Sequence, residues 1–192
     1  FNNDNSDMTA QSWRSHYEQK YQYSLRLFLL LNLVSSFLSL VSPLFTVITF
    51  TPPCFLIVAC SAVLLLWHWK FAQHKINIPL ISLIFGLLWA WHVALKAMVM
   101  GPPHFNYLVI ALLSVLFIGT IAFSSNIIAF TLHSLPTYVT CLFLGGGEQW
   151  LRMSWCFVLP IAGIALQSLM QKRSDVFTQG LMDKLLKERN TL

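Results

Sequence analysis

The chain has 192 residues, of which 56% are hydrophobic and only 10% are charged, whereas soluble domains carry roughly 25% charged residues. Between Leu27 and Gln171 the only charged residues are Lys70, Lys75, Lys96, Glu148 and Arg152. Such a stretch cannot form a water-facing surface, so the composition excludes a soluble globular domain and predicts a protein whose main solvent is lipid. The net charge of +5 does not predict nucleic-acid binding, because the basic residues sit at the ends of apolar runs and form no stripe.

The chain opens with a polar segment, residues 1–22, in which we expect an interfacial helix from Gln11 onward. Six apolar stretches follow, each near the length that crosses a bilayer as a helix: 25–49, 54–69, 78–100, 105–123, 127–144 and 150–170. Pro-Pro pairs, a Ser-Ser-Asn turn and three consecutive glycines separate them. The predicted fold is therefore all-α, with a six-transmembrane-helix bundle over residues 23–170.

Lysine and arginine are concentrated on one predicted side of the bundle. They occur in the N-terminal segment, in the loop between the second and third spans, and in the C-terminal tail. The positive-inside rule therefore places both termini in the cytoplasm, as an even number of spans also requires.

The tail, residues 171–192, is polar and helix-favouring. Leu181, Leu185 and Leu192 fall at the spacing of a coiled-coil seam, while Glu188 interrupts it. We expect a cytoplasmic signalling helix that continues from the sixth span into a dimer, with Gly180 as its flexible point. The alternative is a solvated amphipathic tail without a partner.

The short loops, the helical exit and two short motifs in the last span resemble bacterial membrane-embedded sensor domains. The motifs are Glu148-Gln149-Trp150-Leu151 and Leu159-Pro160-Ile161. The layout is similar to the receptor of α-hydroxyketone quorum-sensing histidine kinases and to the membrane-associated sensor domains of diguanylate and adenylate cyclases. The resemblance implies a homodimeric receptor in the bacterial inner membrane, with an output domain beyond Leu192. It also implies a ligand-binding role for an aromatic residue near the top of the fourth helix, where Tyr107 stands.

Ionisable residues at membrane depth are functional candidates. Trp89, His92 and Lys96 share one face of the third helix in its outer half. We predict that they line an outer cavity framed by helices 3 to 6; the alternatives are a snorkelling Lys96 and a His92 that bonds to another helix. The remaining candidates for ligand binding, at similar depth, are Asn106, Tyr107, Tyr138, Arg152 and Trp155.

The third helix also carries a ridge of small residues at four-residue intervals: Ser82, Gly86, Ala90 and Ala94. Such a ridge favours close approach of another helix. On the fifth helix, Pro136 is expected to free a backbone carbonyl.

We expect no metal site, because the four cysteines form no CxxC pair, and no haem, because His92 and His133 lie at different depths. A nucleophile–base pair or paired carboxylates are absent from the apolar stretches, so no enzymatic activity is expected of this segment. The predicted function is a sensory input domain for a small lipophilic ligand. A small transporter or channel is the first alternative, and a membrane scaffold the second.

Overall fold

The computed structural model describes residues 2–41, 51–71, 76–100, 105–123, 126–145 and 154–192, without the side chains of 2–19, 100, 105, 106, 155 and 156. Throughout these ranges the regular structure is helical, with no strand. The six helices are α1 (Asn2–Val41), α2 (Pro52–Lys70), α3 (Ile78–Met100), α4 (Phe105–Ala122), α5 (Ile127–Gly145) and α6 (Trp155–Thr191). The prediction of an all-α fold is confirmed.

Four helical stretches within the described residues are long and apolar enough to cross a membrane, fewer than the six predicted. They are Lys20–Val41, Pro52–Lys70, Ile78–Val99 and Ile127–Gly145. The apolar part of α4, Tyr107–Ala122, is shorter. The last helix is outside this set, and residues 150–153 of the predicted sixth span lie outside the described residues. These stretches are consistent with a membrane protein.

Two helices continue across a change of composition: residue 22 was a predicted segment boundary, whereas the last helix was expected to continue into the tail. α1 continues without a break across residue 22, and α6 joins the sixth apolar stretch to the polar tail through Gly180. Residues 42–49 of the predicted first span lie outside the described residues. α2 begins at Pro52. Proline is tolerated in the first turn of a helix because the N–H that it lacks would have no partner within the helix there.

The most extensive helix–helix contact of the described bundle is between α3 and α5, and Gly86 lies within it. A Cβ at this position would be 2.7 Å from the backbone oxygen of His133 and 2.8 Å from that of Leu132. Pro136 has no N–H for the Leu132 carbonyl four residues earlier, so α3 covers a carbonyl that the helix itself cannot satisfy. Glycine is required here because any side chain would separate the two backbones.

An aromatic cluster fills the bundle between α1, α3, α4 and α5. The Phe28 ring lies 5.4 Å from that of Phe85 and 4.7 Å from that of Phe123, centroid to centroid. The His133 ring meets Phe28 edge to face at 5.1 Å. All four side chains are fully or almost fully buried, so this level of the bundle is closed by packed rings.

Contacts at the helix ends show that α1 and α3 both run opposite in direction to α4. At one end, the Ser24 hydroxyl donates to the backbone oxygen of Ala122 at 2.6 Å; we call this the Ala122 end. At the other, the Lys96 ammonium lies over the Tyr107 ring, so the last turn of α3 meets the first turn of α4; we call this the Lys96 end.

Candidate functional site

A cavity of about 280 Å³ opens among α1, α3 and α4, above the aromatic cluster and toward the Lys96 end. Four of the predicted ligand-binding residues line it together: Trp89, His92, Lys96 and Tyr107. The sequence reading framed the cavity by helices 3 to 6, whereas its described walls are α1, α3 and α4. The first helix takes this place because it packs on α4 and α2 and thereby encloses the polar face of α3.

The α1 wall consists of one polar face of that helix. Asn32, Ser35, Ser36 and Ser39 are spaced at i, i+3, i+4 and i+7 and therefore lie along one side. Ser35 and Ser39 line the cavity directly, while Asn32 and Ser36 are fully buried behind it. The Ser36 hydroxyl donates to the backbone oxygen of Asn32 at 2.6 Å. This face gives the cavity hydroxyl groups within the apolar part of α1.

Trp89 is held in place by Asn32. Its indole N–H donates to Asn32 Oδ1 at 2.7 Å, and Asn32 Nδ2 donates to the backbone oxygen of Phe28 at 2.8 Å. Both side chains are buried, so these hydrogen bonds satisfy polar groups that neither lipid nor water reaches. The indole therefore forms a fixed lower wall of the cavity.

His92 lies one helical turn above Trp89 and is held from two directions. Its Nδ1 is hydrogen-bonded to the hydroxyl of Thr51, the residue that precedes α2. Its ring meets the Trp89 ring edge to face, with centroids 5.6 Å apart. Because Thr51 stands at the start of α2, this bond ties the cavity wall to a second helix.

Lys96 is the cation of the cavity and is only 7% exposed. Its ammonium nitrogen lies 5.9 Å from the centroid of the Tyr107 ring, near the outer limit of a cation–π contact. The carboxylates whose side chains are described, Asp175, Asp183 and Glu188, all lie on the tail of α6. Within the described residues, therefore, no carboxylate pairs with this ammonium.

None of the other predicted ligand-binding residues has a described side chain that lines this cavity. Tyr138 of α5 stacks on Phe157 of α6, with ring centroids 4.7 Å apart and planes 15° from parallel. The side chains of Asn106 and Trp155 and the whole of Arg152 lie outside the described residues. On the ridge of α3, Ser82 and Ala90 are buried, and Ala94 is half-buried.

The sequence reading missed the contribution of α1. Neither Asn32 nor the serines of α1 were predicted as cavity residues, although their helical spacing is visible in the sequence. The sequence reading also missed Thr51, whose role depends on the fold because it lies 41 positions from His92 in the chain. The wall formed by α4 could likewise have been identified from the helical spacing of its lining residues, which are Tyr107, Ile110, Ala111, Ser114 and Ile118.

Within the described residues, no three His, Cys, Asp or Glu side chains converge as metal ligands. The rings of His92 and His133 contact different neighbours, Trp89 for the first and Phe28 and Phe123 for the second. The geometry that is present is that of a binding cavity with an apolar wall and a few fixed polar groups. In comparisons of the chain, no protein-family model, curated protein or solved structure matches it.

Proposed function

We propose that this chain is a membrane-embedded sensory input domain that binds a small lipophilic signal in the cavity among α1, α3 and α4. The observation that carries the proposal is the convergence of Trp89, His92, Lys96 and Tyr107 on one cavity. Ligand cavities are typically apolar, with a small number of placed polar groups, and this cavity has that character.

Binding is coupled to the last helix through the cavity walls. Two of the three walls, α1 and α4, also contact α6. A ligand that separates α1 from α4 therefore changes the surface on which α6 packs. For this to transmit a signal, the ligand must favour one of two helix arrangements.

The length of α6 supports its role as the transmitter. The helix runs from Trp155 to Thr191, 37 residues, which corresponds to about 55 Å and exceeds the hydrocarbon thickness. A continuous helix carries a shift of its apolar part into its polar part, since its own hydrogen bonds resist bending. In this proposal the polar part pairs with a second copy and controls a cytoplasmic output domain. We propose a histidine kinase as that domain, with a nucleotide cyclase as the alternative.

In this proposal all six apolar helices span the bacterial inner membrane, with both ends in the cytoplasm. The lysine and arginine residues of the N-terminal segment, of the loop between α2 and α3 and of the tail support this orientation, because these residues accumulate on the cytoplasmic side. The resemblance of the layout to bacterial sensor domains supports the type of membrane.

A small transporter or channel is the second candidate, and the packing of the described residues favours it less. A conducting path needs polar groups through the whole thickness of the bundle. Below the cavity, the amide of Asn32 is occupied by Trp89 and Phe28, and the rings of Phe85 and Phe123 follow.

The receptor is tested by measuring binding to the full chain in phosphatidylcholine nanodiscs. The probe is a brominated medium-chain alcohol, which quenches tryptophan fluorescence on contact with Trp89. We expect saturable quenching that disappears in Trp89→Phe. We expect His92→Ala and Tyr107→Ala to weaken binding at least about tenfold, a change of about 1.4 kcal/mol in binding free energy.

The matched control is Phe143→Ala on α5, whose side chain is 84% exposed and lies away from the cavity. The Phe143→Ala variant should bind the probe as tightly as the unmodified chain. Quenching that rises without saturation, and equally in all variants, would mean that the probe only partitions into lipid, and the receptor proposal would fail. Protein-dependent flux of small polar solutes across liposomes would favour the transporter instead.

A further inference from the structure

We infer that the ligand is a single-chain amphiphile with an anionic head, bound with its head at Lys96 and its apolar chain along α4. This inference rests on the proposed function and names the chemical class of the signal. It depends on three features of the described residues: the buried charge of Lys96, the elongated shape of the cavity, and the side on which the cavity opens.

The charge argument starts from the cost of burying an ammonium group. A cation removed from water is retained in proteins when a counter-ion or a set of hydrogen bonds compensates it. The Tyr107 ring, at 5.9 Å, compensates part of the charge of Lys96, and no described carboxylate compensates the rest. An anion delivered by the ligand forms the missing charge-assisted hydrogen bond.

The shape argument concerns the wall formed by α4. Its lining residues run from Tyr107 to Ile118 along one face, which corresponds to about 16 Å along the helix axis. Beyond Tyr107 this face is apolar apart from Ser114, whose hydroxyl donates to the backbone oxygen of Ile110 at 2.8 Å. The volume of about 280 Å³ is at the small end of ligand pockets, which suits one hydrocarbon chain rather than two.

The cavity opens between α1 and α4 toward apolar surroundings. Four lining residues, Ser35, Ile110, Ser114 and Ile118, also belong to a shallower groove between the same two helices. The outer rim of that groove is formed by Leu113 and Phe117, both at least half exposed. An amphiphile can therefore move from the bilayer into the cavity without leaving hydrocarbon, while its head stays near the end of the bundle.

Glu148 is the one acidic residue between Leu27 and Gln171, and it lies outside the described residues. If Glu148 paired with Lys96, the ligand would not need to be anionic. The variant Glu148→Gln therefore belongs in the experiment.

The experiment compares three brominated dodecyl probes on the full chain in phosphatidylcholine nanodiscs: a sulfonate, an alcohol and a trimethylammonium. Their chains are identical, so only the charge of the head differs. We expect the sulfonate to bind at least about tenfold tighter than the alcohol, and the cation to bind weakest. Lys96→Gln should abolish the preference for the sulfonate and keep binding of the alcohol, which also shows that the variant is folded. Lys96→Arg should retain the preference.

Several outcomes would overturn the inference and leave the receptor standing: equal binding of sulfonate and alcohol, preference for the cation, or a sulfonate preference that only appears in Glu148→Gln. Displacement of the sulfonate by phosphatidylglycerol added to the nanodisc would assign the site to a bilayer phospholipid, and the single-chain ligand would be wrong. If no probe binds saturably, the proposed function itself fails.

Discussion

At the residue scale, the hydrogen bond between Trp89 and Asn32 decides the shape of the cavity. Asn32 Oδ1 accepts the indole N–H at 2.7 Å, and the asparagine is fully buried. If the indole N–H were removed, no water could reach the buried Asn32 Oδ1 to donate a hydrogen bond in its place. The bond therefore orients the indole and also keeps an amide from being buried unpaired.

We predict that Trp89→Phe lowers the free energy of unfolding by about 1–3 kcal/mol, because it leaves Asn32 Oδ1 without its donor. The measurement is thermal or denaturant unfolding in detergent, followed by circular dichroism. Trp91→Phe is the matched control, since Trp91 is on the same helix but 47% exposed. Equal losses in the two variants would show that the hydrogen bond contributes nothing beyond ring packing.

At the element scale, the contact of α3 with α5 depends on one missing side chain. The carbonyls of Leu132 and His133 occupy the space that a Cβ at Gly86 would need. These are backbone atoms, so relief requires a shift of a whole helix rather than a rotamer change. The packing of the bundle is thus most sensitive at this point.

We predict that Gly86→Ala reduces stability by about 1–3 kcal/mol through overpacking. Gly163→Ala on α6 is the control, because no atom lies within 4 Å of a Cβ placed there. Alanine at 163 should leave stability unchanged or raise it by up to about 1 kcal/mol, since alanine favours helix over glycine. Melting temperatures of the two purified variants test the difference. Similar values would mean that α3 and α5 are not in close contact.

At the scale of the whole molecule, the polar end of α6 presents exposed apolar side chains. Leu181 and Leu185 are 45% and 60% exposed, at the spacing of a coiled-coil seam. In the proposed function this seam is covered by the same helix of a second copy, which joins two cavities to one output.

We predict that Leu181→Asp combined with Leu185→Asp shifts the dimer to monomer, with a dissociation constant raised at least about tenfold, about 1.4 kcal/mol. Mass photometry in detergent at several protein concentrations measures the change. The control is Leu186→Asp, which adds a charge in the same helical turn but outside the seam. It should raise the dissociation constant less. A monomer in all three proteins would refute the coiled-coil dimer and favour a solvated tail.

The helices of this protein follow from short-range features of the chain. The bounds of α3 were predicted to the residue, and those of α4 and α5 to within one, because proline, glycine and Ser-Ser-Asn interrupt apolar runs locally. The continuity of α6 into the polar tail was expected, whereas the continuity of α1 across residue 22 was not predicted. A change of composition ends an apolar surface but does not end a helix, since polar residues such as lysine and glutamine favour helix equally well.

The sequence by itself determined an all-α chain with several membrane-length helices, and it placed Trp89, His92 and Lys96 on one face. Helical periodicity and the scarcity of charge are local properties, so one chain is sufficient to read them. Only the tertiary structure decided which helix faces that side. It brought α1 there, with Asn32 57 positions from Trp89, and Thr51 41 positions from His92. Periodicity gives the face that a helix presents, whereas the choice of neighbour depends on close approach at sites such as Gly86 and on the pairing of buried polar groups.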